Sequence, residues 1–406
     1  MKWEIVRLGD YCIKIGSGAT PKGGATVYIE DGVTLIRSQN VYNLFFEYDG
    51  LTHITDDAAE KLNGVTIFPD DILLNITGDS VARVCMVPTD VLPARVNQHV
   101  AIIRTRKDLL PQYLLYYLAS PYMQAYMLNL AVGKGASRNA LTKGMIEDFP
   151  MPLPSVEGQR RIIEILSPYS NLIKNNQKQI KLLEEAAQRL YKEWFVDLRF
   201  PGHETTPIVD GVPEGWTRCC LENVISFNPK VSLSKERLKQ SVPMSALSTT
   251  SMILDFNEFT TTYSNAGSKF QNGDTLLARI TPCLENGKTA FVSGIESSEG
   301  AVGSTEYIVM REKEINPYMV YLLARTEDFR QAAINSMTGS DGRQRAQVDK
   351  LKTLPYLKPT IQVMELFARC VEPMFIQIQT KNRQNMELKQ ARDSLLPKLM
   401  SGEIEV

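Results

Sequence analysis

Apolar residues recur with a seven-residue period in two long stretches of the chain, and both stretches predict helices. In the first, the apolar positions alternate in steps of four and three from Ile162 to Trp194, with Asn176 as a single polar member. This is the a/d pattern of a coiled coil. The second stretch carries a similar seam from Phe367 to Leu399, with a more polar middle. Each seam needs a partner, and the simplest partner is the other seam, in an intramolecular antiparallel pair.

Prolines within both stretches are expected to interrupt the helices. Ser167 and Pro168 place a good N-cap residue before a proline, so the first helix is expected to restart there. In the second stretch, Pro397 is expected to end or kink the helix near Leu396. The alternative to a helix pair is that each helix packs on its own domain, but the sustained seven-residue period favours the pair.

The segment before each seam carries short apolar runs that predict strands. The runs are VTLIRS, DDILLNI and HVAIIR in the first half, and DTLLARI, TAFVSG and EYIVMR in the second. Each segment also has a short helical run, PQYLLYYLAS or PYMVYLLAR. The pattern predicts an α+β fold: two similar mixed α/β domains, separated by two long antiparallel helices that form an intramolecular coiled coil with a pseudo-two-fold axis.

The two halves of the chain repeat each other at a separation of 205 residues. The stretch GKGASRNALTKGMIEDFPMPLP aligns with TGSDGRQRAQVDKLKTLPYLKP, so that Arg138 meets Arg343 and Pro154 meets Pro359. Earlier segments match with small gaps, as in DDILLNIT and GDTLLARIT. Proline, arginine and apolar positions all align, which favours a true repeat over chance similarity between two ordinary α/β domains.

These patterns divide the chain into five segments, with the Pro- and Gly-rich stretch FPGHETTPIVDGVPEGW around the junction of the two halves. The predicted segments are a first globular domain at 1–154, a first spacer helix at 155–199, a linker at 200–213, a second globular domain at 214–359, and a second spacer helix with a C-terminal tail at 360–406.

Composition is that of an ordinary soluble globular protein. The 406 residues are 43% hydrophobic and 22% charged, with a net charge of −1. A chain with this charge would bind nucleic acid only through local patches or with a more basic partner. The six cysteines form no CxxC pair and there are only three histidines, so we expect neither a metal site nor disulfides. With no apolar run of membrane length and no secretory signal, a cytoplasmic location is expected.

No local motif for catalysis is present. GSGATPKGG lacks the glycine before the lysine and the Ser or Thr after it that a phosphate-binding loop requires. FNPK lacks the second proline and the aromatic residue of the loop with which DNA amino-methyltransferases hold a flipped base. A stand-alone adenine methyltransferase is therefore not supported.

Loops flanked by glycine carry residues of the types that contact DNA bases and phosphates, at matching places in both halves. In the first half the candidate DNA-binding residues are Ser38, Gln39, Asn40, Asn75, Thr77, Asn97, Gln98, Lys134, Ser137, Arg138 and Asn139. In the second half they are Arg279, Thr281, Asn286, Lys288, Ser304, Thr305, Ser340, Arg343, Gln344 and Arg345.

We hypothesise that Arg138 and Arg343 are paired DNA contacts in the repeated glycine- and arginine-containing loop. The alternative is that each arginine pairs with a local carboxylate, such as Asp148 or Asp349, and only fixes its loop.

Several phrases resemble the specificity (S) subunits of type I restriction–modification systems, and the resemblance covers essentially the whole chain. The most specific are LLARITPCLENGKTAFV, GSTEYIV, GSDGRQRA and the tail RDSLLPKLMSGEI. PLPSVEGQRRIIEIL is similar to the entry of the first conserved helix of that family, and RLYKEWFVDLRFPG to its exit. Gly158 stands where the family more often has alanine or glutamate before Gln-Arg. A glycine at this position makes the start of the helix less stable.

The resemblance implies a non-catalytic subunit whose two target-recognition domains, the two globular segments, each read half of a split double-stranded DNA target. It implies that two methyltransferase (M) subunits dock on the helices and methylate adenine with S-adenosylmethionine. It also implies that restriction (R) subunits add translocation and cleavage driven by ATP with Mg. No cofactor is expected in this chain, and no membrane association.

Apolar positions near the seam are candidates for contact with an M subunit or for the helix pair itself: Leu182, Tyr191, Phe195 and Val196. The functional alternative is a tandem-domain coiled-coil scaffold that does not bind DNA, which the repeat and the seam alone would permit. The LENGKT and GRQRA loops, rich in residues that donate to DNA, argue against it.

Overall fold

Two long helices and two sets of short strands make up the fold. Residues 3–132, 139–339 and 342–404 are described by the structure, a computed structural model. The chain divides into two units: unit 1 is Met1–Asn175 with Asn385–Val406, and unit 2 is Asn176–Gln384. Each unit therefore takes in part of both helical stretches, and the predicted division into five segments stays a prediction.

Unit 1 contains short strands and short helices before its long helix. The strands are β1 (Glu4–Arg7), β2 (Cys12–Ser17), β3 (Tyr28–Ile29), β4 (Val33–Ile36), β5 (Val41–Tyr42), β6 (Phe45–Phe46), β7 (Thr52–Ile54), β8 (Ile72–Asn75), β9 (Val84–Met86), β10 (Ala94–Val96), β11 (Val100–Thr105) and β12 (Pro150–Leu153). The helices are α1 (Asp56–Lys61), α2 (Pro111–Ala119), α3 (Pro121–Ala131) and α4 (Lys143–Glu147).

The centre of unit 1 is an antiparallel sheet with the order β2-β11-β8-β9. Because side chains alternate along a strand, Ile72 and Leu74 of β8 enter the core formed with α2 and α3, whereas Leu73 enters a second core against the other four-stranded sheet. That second sheet has the order β10-β4-β7-β3, with β10 parallel to β4. Burial on both faces explains why β8 is a continuous apolar run in the sequence.

The long helices are α5 (Val156–Tyr191), which continues as a π-helical turn over Lys192–Val196, and α10 (Ile361–Ser401). The strands of unit 2 are β13 (Ile208–Val209), β14 (Val212–Pro213), β15 (Thr217–Cys220), β16 (Ile225–Phe227), β17 (Lys239–Val242), β18 (Thr260–Thr262), β19 (Ser268–Phe270), β20 (Thr275–Ala278), β21 (Thr289–Phe291), β22 (Ala301–Gly303), β23 (Tyr307–Glu312) and β24 (Pro355–Lys358). Its helices are α6 (Leu221–Val224), α7 (Pro317–Ala324), α8 (Glu327–Asn335), α9 (Val348–Lys352) and α10 (Ile361–Ser401).

Unit 2 repeats the sheet plan of unit 1. Its central sheet has the antiparallel order β16-β23-β20-β21, which corresponds strand by strand to β2-β11-β8-β9. Its second sheet contains the parallel pair β17 and β22, which corresponds to β4 and β10. In both units an early strand pairs with the strand before the long helix, as β1 with β12 and β15 with β24. The two domains are thus similar mixed α/β folds, as the sequence predicts.

The heptad seams are buried where the helices pair within each unit. In unit 1, Ile162 and Leu166 of α5 share a core with Leu396 and Leu399 of α10. The pairing of early α5 positions with late α10 positions makes the helices antiparallel, which confirms the prediction.

In unit 2, the seam is closed by aromatic side chains. Tyr191 of α5 meets Phe367 of α10 at a ring-centroid distance of 6.1 Å, and Trp194 meets the same ring at 5.5 Å. Here late α5 positions pair with early α10 positions, so the helices are again antiparallel. The Phe367 side chain is fully buried, with 0% of its surface exposed.

Proline does not break either helix, so the predicted interruption at Ser167 and Pro168 and the predicted end near Leu396 are wrong. Helix α5 runs through Pro168, and α10 runs through Pro397 to Ser401. A proline removes one backbone hydrogen bond. The buried seam continues on both sides of each proline, and its packing holds the helix together across the missing bond.

Candidate nucleic-acid interface

The repeated loop before each β12 or β24 strand joins the end of the central sheet through the same backbone hydrogen bonds in both units. In unit 1, Ile76 N–H donates to His99 O at 3.0 Å, and Leu141 N–H donates to Ile76 O at 2.8 Å. This frame holds three segments side by side: the end of β8, the turn before β11, and the loop before α4.

Unit 2 has the matching frame. Arg279 N–H donates to Glu306 O at 3.0 Å, and Ala346 N–H donates to Arg279 O at 2.8 Å. The frame therefore places Arg279 where unit 1 has Ile76, and Glu306 where unit 1 has His99. The same backbone supports different side chains in the two units.

A cleft opens beside this frame in unit 1 and is called the unit 1 cleft. It includes four of the predicted DNA-binding residues, Ser38, Gln39, Thr77 and Asn139. Its other lining residues are Tyr42, Gly78, Asp79, Ser80, Arg83, His99 and Ala140.

The unit 1 cleft contains side chains that form hydrogen bonds around His99. Thr77 Oγ1 lies 2.6 Å from His99 Nδ1, and Gln98 Nε2 lies 3.2 Å from His99 Nε2. The Arg83 guanidinium lies 4.4 Å from the centre of the Tyr42 ring, a cation–π contact that orients it. These groups are donors and acceptors of the kind that read base edges.

Asn40 and Asn75 are buried, which contradicts the prediction that they contact DNA. The Asn40 side chain accepts a hydrogen bond from Arg37 N–H at 3.0 Å and donates to Glu47 O at 3.0 Å. Asn75 Nδ2 donates to Ser38 O at 2.8 Å, and none of its surface is exposed. Both amides instead shape the loop that carries Ser38 and Gln39.

Asn97 and Gln98 lie in the turn before β11. Asn97 Oδ1 accepts from His99 N–H at 3.1 Å and so closes that turn. Gln98 is exposed and contacts Thr20 as well as His99. Four other predicted residues, Lys134, Ser137, Arg138 and Ser340, lie outside the described residues.

Unit 2 has a cleft of its own that is richer in positive charge. A cleft beside β16 and β19, called the unit 2 cleft, contains the predicted residues Arg279 and Thr305 together with the exposed Lys230 and the partly exposed Lys269. Its other lining residues are Asn228, Pro229, Val231, Ser232, Gly267, Ser268, Tyr307 and Val309.

Glu306 is held between two arginines at the edge of the unit 2 cleft, and the three residues are called the Glu306 cluster. Arg345 donates to the carboxylate through Nε at 3.0 Å and through Nη2 at 2.7 Å. Arg279 Nε lies 3.3 Å from Glu306 Oε2. The hydrogen bond from Arg345 is the main cause that lowers the pKa of the Glu306 carboxyl, so Glu306 is ionised at neutral pH.

The glycine- and arginine-containing loop of unit 2 is closed at its base by backbone hydrogen bonds. Thr338 and Arg345 exchange backbone hydrogen bonds of 3.1 and 2.9 Å. Arg343 is exposed at the tip, and no ion pair to it occurs among the described residues. Asp349, the carboxylate of the alternative hypothesis, is 2.9 Å from Lys352 Nζ. Asp148, the carboxylate that the alternative hypothesis assigns to Arg138, pairs with Arg7 at 2.6 Å.

The remaining predicted residues of unit 2 surround this loop. Thr281 bonds Gln344 O through its backbone N–H at 3.1 Å and its hydroxyl at 3.2 Å. Lys288 Nζ donates to Met244 O at 3.0 Å, and Asn286 is exposed. Ser304 Oγ accepts from Glu306 N–H at 3.1 Å, which makes it part of the turn.

The four candidate partner contacts divide by exposure. Tyr191 is buried against Phe367, and Phe195 lies 4.8 Å from the same ring, so both serve the helix pair. For Tyr191 this contradicts a partner contact, because only 2% of its surface is exposed. Leu182 and Val196 are exposed at 53% and 47% and remain candidates.

Sequence reasoning missed Tyr42, Arg83, His99, Lys230 and Glu306. The repeat was the signal that would have found Glu306 and His99, since both directly precede the long apolar strand of their halves. Tyr42 and Arg83 come together only through the fold, because 40 residues separate them in the sequence.

Within residues 3–132, 139–339 and 342–404, no group of acidic, cysteine or histidine side chains is arranged to hold a metal ion. In the same part of the chain, no helix is long and apolar enough to cross a membrane.

Comparison with known proteins relates the chain to one family. Residues 1–185 match a family model described as the type I restriction modification DNA specificity domain. The chain is 24% identical to the type I restriction enzyme MjaIX specificity subunit of Methanocaldococcus jannaschii, over 100% of this chain and 94% of that protein. It is 31% identical to the EcoAI specificity subunit of Escherichia coli, over 38% of this chain and 27% of that protein.

The crystal structure of the type I restriction-modification system S subunit from M. genitalium has the same fold. It superposes with a TM-score of 0.55 at 13% identity, over 98% of this chain and 96% of that one. Two mixed α/β domains with long helices, matched by a DNA specificity domain, define a DNA-recognition protein. Residues 1–185 carry the DNA specificity domain of type I restriction–modification systems, and the whole chain aligns with specificity subunits of those systems. This family recognises DNA sequence, is not catalytic, and works with M and R subunits.

Proposed function

We propose that the unit 1 cleft and the Glu306 cluster with its surrounding loops each read one half of a split DNA target. The observation that carries this proposal is the repeated backbone frame with different side chains on it. His99 occupies in unit 1 the place of Glu306 in unit 2, and Ile76 occupies the place of Arg279. A shared frame with changed side chains is what two readers of different half-sites require.

The side chains of the two units suit different tasks. Gln39, Gln98 and Asn139 offer amides at or beside the unit 1 cleft, where amides recognise adenine edges in pairs of hydrogen bonds. Arg279 and Arg345 offer guanidinium groups in unit 2, which suit guanine edges or phosphates. The target is therefore proposed to be asymmetric, with dissimilar halves.

The helices α5 and α10 are proposed to separate the two half-sites and to carry two M subunits, with R subunits joining the complex. Leu182 on α5 and Val196 just after it are exposed apolar residues, and they support a docking role. This chain is proposed to bind no cofactor. S-adenosylmethionine, ATP and Mg are assigned to the partner subunits.

The test is a map of methylated adenines in a host that carries this chain with its M subunit and otherwise lacks adenine methylation. The native proteins are expected to methylate one bipartite motif. Substitution of Gln39 and Asn139 by alanine is expected to change or relax one half of the motif and leave the other half intact. A motif with a single contiguous block, or no dependence of the motif on this chain, contradicts the proposal.

A further inference from the structure

We propose that Glu306 is a specificity-determining residue of unit 2, which orients Arg345 for base reading and weakens the hold of the site on phosphate alone. The inference rests on the proposed function, because it assumes that this edge of unit 2 meets DNA. It goes further in assigning a discriminating role to an acidic residue inside a basic site.

The geometry of the ion pair leaves Arg345 able to bind a second partner. The carboxylate of Glu306 is bound by Nε and Nη2, on one side of the guanidinium. The Nη1 group and the end of the guanidinium are not used in that pair. A guanine presents two acceptors that match two arginine N–H groups. An arginine already fixed on one side loses less rotational freedom when its other N–H groups bind a base.

Backbone contacts fix the position of Arg345 further. Its backbone pairs with that of Thr338, and Gln347 Nε2 donates to Arg345 O at 2.9 Å and to Thr338 Oγ1 at 2.7 Å. Arg345 is 39% exposed and Glu306 is 22% exposed, so the pair lies at the surface but is partly shielded from water. The guanidinium is therefore held in one place before any ligand arrives.

The charge of Glu306 has a second consequence. The Glu306 cluster has two positive groups and one negative group. A phosphate carries only negative charge. Glu306 repels the phosphate, and Glu306 also holds part of the Arg345 guanidinium that the phosphate would bind. A guanine edge is neutral and accepts hydrogen bonds, so it meets no such repulsion. An element that repels the wrong ligand raises the difference in affinity between right and wrong ligands.

Unit 1 has no such arrangement at the same place. His99 stands in the position of Glu306, and Ile76 and Ala140 stand in the positions of Arg279 and Arg345. The proposal therefore assigns the discriminating role to unit 2 alone, and the half-site read by unit 1 serves as an internal reference in the experiment.

The experiment compares Glu306→Gln with native protein in the complex with M subunits. The DNA probes are the mapped target, the target with one substituted base pair at a time, and a duplex without the target. Glu306→Gln is expected to bind the duplex without the target more tightly and with a salt dependence steeper by about one phosphate contact. Discrimination against one substituted base pair in the unit 2 half-site is expected to fall by roughly tenfold or more, while discrimination in the unit 1 half-site is unchanged.

A second variant, Arg345→Lys, keeps the charge and removes the planar fork of donors. It is expected to lose discrimination at the same base pair with little change in salt dependence. The matched control is Glu314→Gln, which removes a carboxylate that pairs with Lys358 at 2.7 Å elsewhere in unit 2. The control is expected to behave like native protein.

The outcomes separate the inference from the proposed function. If native protein and control discriminate at both half-sites while Glu306→Gln and Arg345→Lys do so equally well, the inference is wrong and the proposed function stands. If neither half-site of any duplex is recognised by the native complex, the proposed function fails as well. If Glu306→Gln does not fold, Arg345→Lys decides: intact discrimination at every base pair overturns the inference.

Discussion

The Arg104 guanidinium donates two hydrogen bonds to the Asp71 carboxylate in unit 1, with Nε and Nη2 each 2.7 Å from a carboxylate oxygen. Arg311 and Asp274 form the same pair in unit 2, at 2.6 and 2.7 Å. In both units the carboxylate also accepts a backbone N–H at 2.8 Å from three residues earlier. The pair joins the turn before β8 or β20 to the neighbouring strand β11 or β23, and it is the same device in both domains.

Asp274→Asn is expected to lower the free energy of unfolding of unit 2 by about 3 kcal/mol, because the Arg311 charge loses its buried counterion. Only 1% of the Asp274 side chain is exposed, against 21% of that of Arg311. Urea denaturation followed by tryptophan fluorescence measures the change, since Trp194 and Trp216 both lie in unit 2.

The control for this prediction is Asp349→Asn. It breaks a pair with Lys352 in which the Asp349 side chain is 93% exposed, so a loss below about 1 kcal/mol is expected. A change at Asp274 no larger than that of the control would show that the repeated pair contributes little to stability.

Arg343→Ala is expected to weaken the binding of every duplex to a similar degree and to reduce the salt dependence by about one phosphate contact. Arg343 is exposed at the tip of its loop and has no ion pair among the described residues, so the melting temperature should not change. Binding of the complex to target and non-target duplexes at several salt concentrations provides the measurement.

The double variant Arg138→Ala with Arg343→Ala tests the hypothesis of paired contacts. It is expected to lose about two phosphate contacts in the salt dependence. Binding that is unchanged at every salt concentration would refute the pairing, and a lowered melting temperature would favour a role in fixing the loops.

Glu184 connects α5 to a loop of unit 2 and is expected to make stability depend on pH. Its Oε1 accepts from Ser251 Oγ and from Met252 N–H, each at 2.8 Å. Burial raises the pKa of the Glu184 carboxyl above its ordinary value. The folded state therefore favours the protonated Glu184 carboxyl. Its contribution to the free energy of unfolding is complete at pH values below the ordinary carboxyl pKa, and it is lost as pH rises through the raised pKa of the folded state.

Glu184→Gln keeps an oxygen acceptor for Ser251 and Met252 without a buried charge. It is expected to be more stable than native protein at pH 7, with an advantage that shrinks as pH falls toward the ordinary carboxyl pKa. Glu184→Ala removes the acceptor and should cost about 1–3 kcal/mol. Urea denaturation across a pH series measures both. The neighbouring exposed Glu185→Gln is the control, and an equal pH profile in the two Gln variants would rule out the explanation.

Phe367→Ala is expected to destabilise unit 2 by about 3–5 kcal/mol, because it leaves a cavity among aromatic rings. Phe367 is fully buried and contacts Tyr191, Trp194 and Phe195. The adjacent Leu366 is 41% exposed, so Leu366→Ala should cost much less. Equal losses of the free energy of unfolding for the two variants would contradict the assignment of Phe367 to the seam.

The periodic features of the fold could be predicted from the sequence. The heptad spacing from Ile162 to Trp194 reports a single buried face, and the apolar runs of β8 and β20 report strands covered on both sides. Such patterns depend on neighbouring residues in the sequence, so they can be recognised without knowledge of the fold. The sequence repeat also predicted that the two domains have similar folds.

The predictions that proved wrong concern residues whose tertiary contacts override the conformation or exposure that their residue type prefers. Pro168 should interrupt an isolated helix, but the packing of Leu166 and Ile173 on either side holds α5 together. Asn75 has the right chemistry to read adenine, but its strand turns it into the interior toward Ser38. The partner of Arg345 was also hidden, because Glu306 is 39 residues away in the sequence and looks like an ordinary surface acid.

The division of the chain into units has a consequence for its synthesis. Unit 2 is one continuous segment, Asn176–Gln384, whereas unit 1 is completed by Asn385–Val406, with Leu396 and Leu399 filling its core beside Ile162 and Leu166. As the ribosome emits the chain, unit 1 can close its core only after the segment that carries Leu396 and Leu399 has emerged. Unit 2 has all of its own residues before that segment appears, so unit 1 is exposed to chaperones and proteases for longer than unit 2.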